Sequence, residues 1–89
     1  MPQRALSGIH PGSPWPLGSS LTSRGVNFVL AAPGADRIEL LLYSNGNDRS
    51  PERVIELDGR RHRSGDYWHV EVEGVGEGCC YGYRVFGPL

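Results

Sequence analysis

Asp66-Tyr67-Trp68-His69-Val70-Glu71-Val72-Glu73 alternates without a break. Trp68, Val70 and Val72 fall on one side of the period, and Tyr67, His69, Glu71 and Glu73 on the other. A two-residue period is that of a β-strand, whose successive side chains point to opposite faces. Such a strand has to bury its apolar face against a second layer of structure.

The neighbouring runs are of the same kind. Residues 53–57 (RVIEL) end at Asp58-Gly59, and residues 37–43 (RIELLLY) end at Ser44-Asn45-Gly46-Asn47-Asp48, a turn cluster containing Asn-Gly. Residues 26–32 (VNFVLAA) lie between Gly25 and Pro33-Gly34. Residues 80–86 place Tyr81, Tyr83 and Val85 on one face and Cys80, Gly82, Arg84 and Phe86 on the other. No helical period intervenes. Short strands separated by turn signals predict an all-β antiparallel sandwich of two sheets. Its expected core is Phe28, Leu30, Ile38, Leu40, Leu42, Ile55, Leu57, Trp68, Val70 and Val72, with Tyr81 and Tyr83. Five strands fall short of a full immunoglobulin domain, so residues 17–22 or 60–64 are expected to supply short extra ones. Residues 1–25 are rich in Gly, Pro and Ser and read as irregular, except that Pro14 and Pro16 hold the backbone on either side of Trp15.

At 89 residues the chain is one domain. A domain this small buries only roughly 60–65% of its unfolded surface, enough for one core and not for a deep catalytic cleft as well. Its composition, 38% hydrophobic and 21% charged, is that of a soluble globular protein. Nine basic residues, all arginine, against ten acidic ones give a net charge of −1, which argues against nucleic acid or an anionic membrane as partner. Arg60-Arg61-His62-Arg63, flanked by Glu56, Asp58 and Asp66, reads as a solvated loop. No apolar run reaches the roughly 18–20 residues of a membrane span. Met1-Pro2-Gln3-Arg4 opens no signal sequence, and the adjacent Cys79 and Cys80 suit a reduced compartment, so a cytoplasmic location is expected. Nothing has metal-ligand spacing among the cysteines, His10, His62 and His69, and no cofactor is expected.

No set of residues makes a catalytic constellation. Glu71 and Glu73 share a strand face about 7 Å apart and read as a solvated stripe. His69 and Cys80 lie on different strands, and His69 reads as structural. The aromatic residues offer more. Trp68, Tyr81 and Tyr83 belong to the core by alternation, whereas Trp15, Tyr43 and Tyr67 are candidates for stacking on sugar rings, Tyr67 being expected on the exposed face.

Three stretches resemble the N-terminal domain of isoamylase-type glycogen debranching enzymes, of the α-amylase superfamily. Pro16-Leu17-Gly18 with Arg24-Gly25-Val26-Asn27-Phe28 is similar to the family's opening "PLG…GVNF". Ala35-Asp36-Arg37-Ile38-Glu39-Leu40 is similar to its second-strand region. Ser64-Gly65-Asp66-Tyr67-Trp68-His69-Val70, followed by Gly78-Cys79-Cys80-Tyr81-Gly82-Tyr83-Arg84-Val85-Phe86-Gly87-Pro88, resembles "SGDxWH…PGxxYGYRVxGP". The likeness runs over residues 12–89, leaving residues 1–11 as a flexible lead-in. It implies an immunoglobulin-like β-sandwich of the glycogen-binding-module class. In the family this domain precedes a (β/α)8 barrel that cleaves α-1,6-glucosidic branch points with an Asp nucleophile and a Glu acid/base. Both belong to the barrel, so no catalytic residue carries over.

The expected function is that of a non-catalytic accessory domain packed on the catalytic barrel of the same polypeptide. Cys80, Gly82, Arg84 and Phe86, the outward set of the last strand, are the expected docking face. The alternatives are a glucan-binding module acting through Trp15, Tyr43 or Tyr67, and an unrelated structural β-sandwich interaction domain.

Overall fold

The computed structural model describes residues 8–44, 49–76 and 78–87. The first seven residues of the expected lead-in, residues 45–48 of the expected Asn-Gly turn, and Pro88 and Leu89 lie outside the described residues. Among the described residues eight strands follow in order: β1 (Ile9–His10), β2 (Gly18–Leu21), β3 (Gly25–Ala31), β4 (Arg37–Tyr43), β5 (Arg53–Leu57), β6 (Arg63–Ser64), β7 (Tyr67–Glu73) and β8 (Cys80–Phe86). One sheet has the order β1-β7-β3-β2, with β6 also paired to β7, and the other has the order β5-β4-β8. Every pairing is antiparallel.

Register brings the apolar halves of the alternating strands together. In the five-stranded sheet Val26, Phe28 and Leu30 lie opposite Val72, Val70 and Trp68. In the three-stranded sheet Ile38, Leu40 and Leu42 lie opposite Val85, Tyr83 and Tyr81 on one side, and Ile38 and Leu40 opposite Leu57 and Ile55 on the other. The two inner faces form the core of the sandwich. Leu30, Tyr81 and Tyr83 are packed against that core but only partly covered, and Val26 and Ala35 join it. Tyr81 bridges the layers, its ring 4.8 Å from Phe28 and 5.9 Å from Tyr83. The Tyr83 hydroxyl is buried with no hydrogen-bond partner among the described residues. Burial, with Tyr81 nearby, pushes its pKa well above the usual tyrosine range.

Two parts of the sequence fold differently from expectation. Ile9 and His10, inside the stretch read as lead-in, pair with Val72 and Glu71, because Ile9 finds apolar cover at the edge of the core. The Arg60–Arg63 cluster is not uniformly solvated. His62 is buried, with its Nδ1 accepting from the Asp58 N–H at 2.8 Å. Arg63 stretches over the Trp68 ring, 5.0 Å from its centroid, and donates to the carbonyls of Gly65 and Pro33. The cluster forms the β5–β6 turn and clamps it onto the core.

Candidate functional site

The outer face of the five-stranded sheet is polar, and the segment leading into β2 lies across it. That approach requires Gly12, at φ +75°, since any Cβ there would overlap the Asn27 side chain. The segment is fastened at both ends of Asn27's amide. Ser13 N–H donates to Asn27 Oδ1 at 3.0 Å, and Asn27 Nδ2 donates to the Ser13 carbonyl at 3.0 Å. Two residues further back, His69 Nδ1 donates to the Pro11 carbonyl at 2.6 Å, while its Nε2 lies 2.8 Å from the Ser64 hydroxyl. His69 is thus buried and structural.

This arrangement leaves Trp15 standing over the sheet, 63% exposed, with its ring 6.4 Å from that of Tyr67 at 81°. Tyr67, expected to be exposed, is half-buried. Beside the indole opens a cleft of about 500 Å³ whose lining includes His10, Ser20, Thr22, Arg24 and Glu71. Glu71 is only 8% exposed, not part of a solvated stripe. Arg24 Nη2 donates to its Oε1 at 2.9 Å. A hydrogen bond from Thr22, reinforced by the Arg24 charge, holds its pKa below the usual carboxylate value. Glu73 pairs instead with His10, Oε2 to Nε2 at 2.5 Å. Register explains the difference. Glu71 faces Asn27 in mid-strand, whereas Glu73 faces Gly25 at the strand end.

The outer face of the three-stranded sheet holds the other expected set. Phe86, half-buried, lies under the Arg37 guanidinium at 4.0 Å, and Arg84 pairs with Glu39 at 2.7 Å. Gly82 has open space where a Cβ would stand. Across the sheet its neighbours are Leu41 and then Val54, which is 50% exposed. Cys80 lies opposite Tyr43, and both are half-buried. Burial and the neighbouring Cys80 push the Cys79 thiol's pKa up, which leaves it a poor nucleophile. Among the described residues no three His, Cys, Asp or Glu side chains come together as a metal site.

The three sugar-stacking candidates therefore divide. Trp15 and Tyr67 meet on one sheet, and Tyr43 lies on the other. Arg24 and Glu71 were missed as a pair because 47 positions separate them.

This two-sheet sandwich, with an exposed tryptophan beside a polar cleft, is the fold of a non-catalytic accessory module. The chain belongs to the family of carbohydrate-binding module 48 (isoamylase N-terminal domain), whose model matches residues 16–89. It is 39% identical over 83 residues to a glycogen debranching enzyme of Klebsiella pneumoniae, covering 93% of this chain and 12% of that enzyme. It is 42% identical over 80 residues to one of Erwinia tasmaniensis, covering 90% of this chain and 11% of that enzyme. A Salmonella typhi glycogen debranching enzyme is 42% identical over 77 residues, 86% of this chain and 11% of its own length. The chain thus spans about an eighth of the length of the relatives it matches.

Proposed function

We propose that this domain belongs to a glycogen debranching enzyme that cleaves α-1,6-glucosidic branches, where it packs on and supports the catalytic barrel. The carrying observation is that similarity to such enzymes extends over nine-tenths of this chain. The outer face of the three-stranded sheet is the docking face. Gly82 leaves room for a close approach, the exposed Val54 and half-buried Phe86 supply apolar surface, and the Arg84–Glu39 pair lies between Gly82 and Phe86 as a polar contact within the face. Among the described residues no helix is long and apolar enough to cross a membrane. The proposed site of action is the cytoplasm, where the adjacent free thiols of Cys79 and Cys80 would stay reduced.

The test is Gly82→Arg, made both in this chain alone and in the full-length enzyme. Its Cβ meets open space, so the isolated chain should lose no more than about 0.5 kcal/mol. The full-length enzyme should melt lower, be cut more readily between domains, and debranch glycogen more slowly. If the full-length variant matches wild type in all three, the face is not the docking surface.

A second reading, that the module also holds glucan, is favoured by the exposed Trp15 packed edge-on with Tyr67. Tyr43 lies on the opposite sheet and takes no part in that contact.

A further inference from the structure

β1 and β5 are outer strands of the two sheets, and one flank of the sandwich opens between them. A pocket of about 400 Å³ occupies this flank, with Ile9 on one side and Val54, Ile55 and Glu56 on the other. Those three residues are consecutive, and successive side chains of a strand point to opposite faces. A pocket that touches all three therefore runs along the free edge of β5 and not over one of its faces. A free edge presents a row of backbone N–H and C=O groups to whatever lies beside it. The pocket's floor is apolar, since Ile55 belongs to the core and Ile9 packs against it.

One polar group of the lining is unanswered. His62 lines the pocket and is 5% exposed. Its Nδ1 accepts from the Asp58 N–H at 2.8 Å, so the proton of the neutral ring sits on Nε2. That nitrogen is buried with no hydrogen-bond partner among the described residues. A buried donor is costly to leave unpaired, so the occupant of the pocket has to bring an acceptor. A phosphate or carboxylate would meet both Glu56 and Asp58, with only Arg61 to offset them. A purely aliphatic ligand would leave the imidazole N–H unpaired. A peptide unit answers each demand, because its carbonyl accepts, its N–H can pair with a strand edge, and its side chain can be apolar.

We infer that the β5 edge receives an extended peptide segment, which adds a strand to the three-stranded sheet, lays a branched aliphatic side chain over Ile9 and Ile55, and offers a backbone carbonyl to His62 Nε2. The segment comes from elsewhere in the same longer polypeptide. This chain spans only 12% of the Klebsiella pneumoniae relative, and Val54, exposed on the docking face, also lines the pocket, so the two surfaces are continuous. The inference rests on the proposed place of this domain in a debranching enzyme and carries its contact with the rest of the chain from the sheet face round to the edge.

Hydrogen exchange of residues 53–57, followed by mass spectrometry in this chain alone and in the full-length enzyme, is the test. Their amides should exchange at least about tenfold more slowly in the full-length enzyme. Ile9→Ala in the full-length enzyme should recover part of the faster rate. In this chain alone, N-acetyl-leucine methylamide at millimolar concentration should shift the His62 Nε2–H resonance saturably, and N-acetylglycine methylamide should not. If residues 53–57 exchange equally in both proteins while Gly82→Arg weakens the full-length enzyme, the edge inference fails and the docking reading stands. If neither effect appears, both fall. Slow exchange already present in this chain alone, together with a dimer by sedimentation, would give the edge to a second copy and overturn the inference. A His62 resonance that ignores the leucine probe overturns the role given to that residue.

Discussion

Replacing Trp68 by alanine removes the largest fully buried side chain of the domain. A tryptophan buries about 150–250 Å². At about 25 cal/mol per Å² this is worth about 4–6 kcal/mol, an upper bound because the unfolded chain already hides some of it. The indole N–H also donates to the Ala32 carbonyl at 3.3 Å, a long bond. Its loss adds little, since that carbonyl still accepts from Ala35 N–H at 3.2 Å. The Arg63 guanidinium over the ring loses its platform as well. Large aromatic-to-alanine changes in cores cost about 3–5 kcal/mol, and the same range is expected here. An 89-residue domain is stable by about 4–13 kcal/mol, so the change removes a large part of the margin. The melting temperature should fall by about 15–30 °C. Urea and thermal unfolding followed by far-ultraviolet circular dichroism measure the loss without relying on the missing fluorophore. Trp68→Phe, which keeps most of the ring, should lose much less. A Trp68→Ala protein within about 1 kcal/mol of wild type would refute the placement of this residue between the sheets.

Gly25→Ala should destabilise the chain by about 1–3 kcal/mol or more, because the added methyl group overlaps the Val72 carbonyl oxygen in the β3–β7 ladder; urea midpoints check it. Stability should decline as the pH falls below about 6.5. Burial first, and Arg61 second, lower the pKa of His62, so the folded state binds fewer protons than the unfolded one in this window. Its contribution is present above the unfolded value and is lost as acid protonates the unfolded chain. Urea midpoints at pH 7 and pH 5 should differ, and His62→Asn, whose side-chain oxygen can still accept from Asp58 N–H, should narrow the difference. The depressed pKa of Glu71 acts in the same direction but only at lower pH, in the carboxylate range.

The long strands were written locally. Runs at 37–43, 53–57 and 80–86 fold with the bounds that alternation and turn residues indicate, and those at 26–32 and 66–73 shift by a single residue. Each needs only its own side-chain period and a Gly or Pro at its end. The same period assigned Trp68, Val70 and Val72 to the core and Cys80, Gly82, Arg84 and Phe86 to the outside of their sheet. β1 and β6, two residues each, carry no such period, and they exist because β7 offers them partners.

The cleft was illegible for a related reason. Alternation told that Glu71 faces outward, and an outward glutamate reads as solvated. What buries it is Arg24, delivered by the β3–β7 register, and the lead-in segment, which Asn27 and His69 draw onto the sheet. Trp15 reads as anchored by its prolines, but its place over Tyr67 depends on that same docking. Which side of a strand a residue occupies is a property of its neighbours in sequence. What meets it there is decided by pairings between residues tens of positions apart, and these are set only when the sheets close on their shared core.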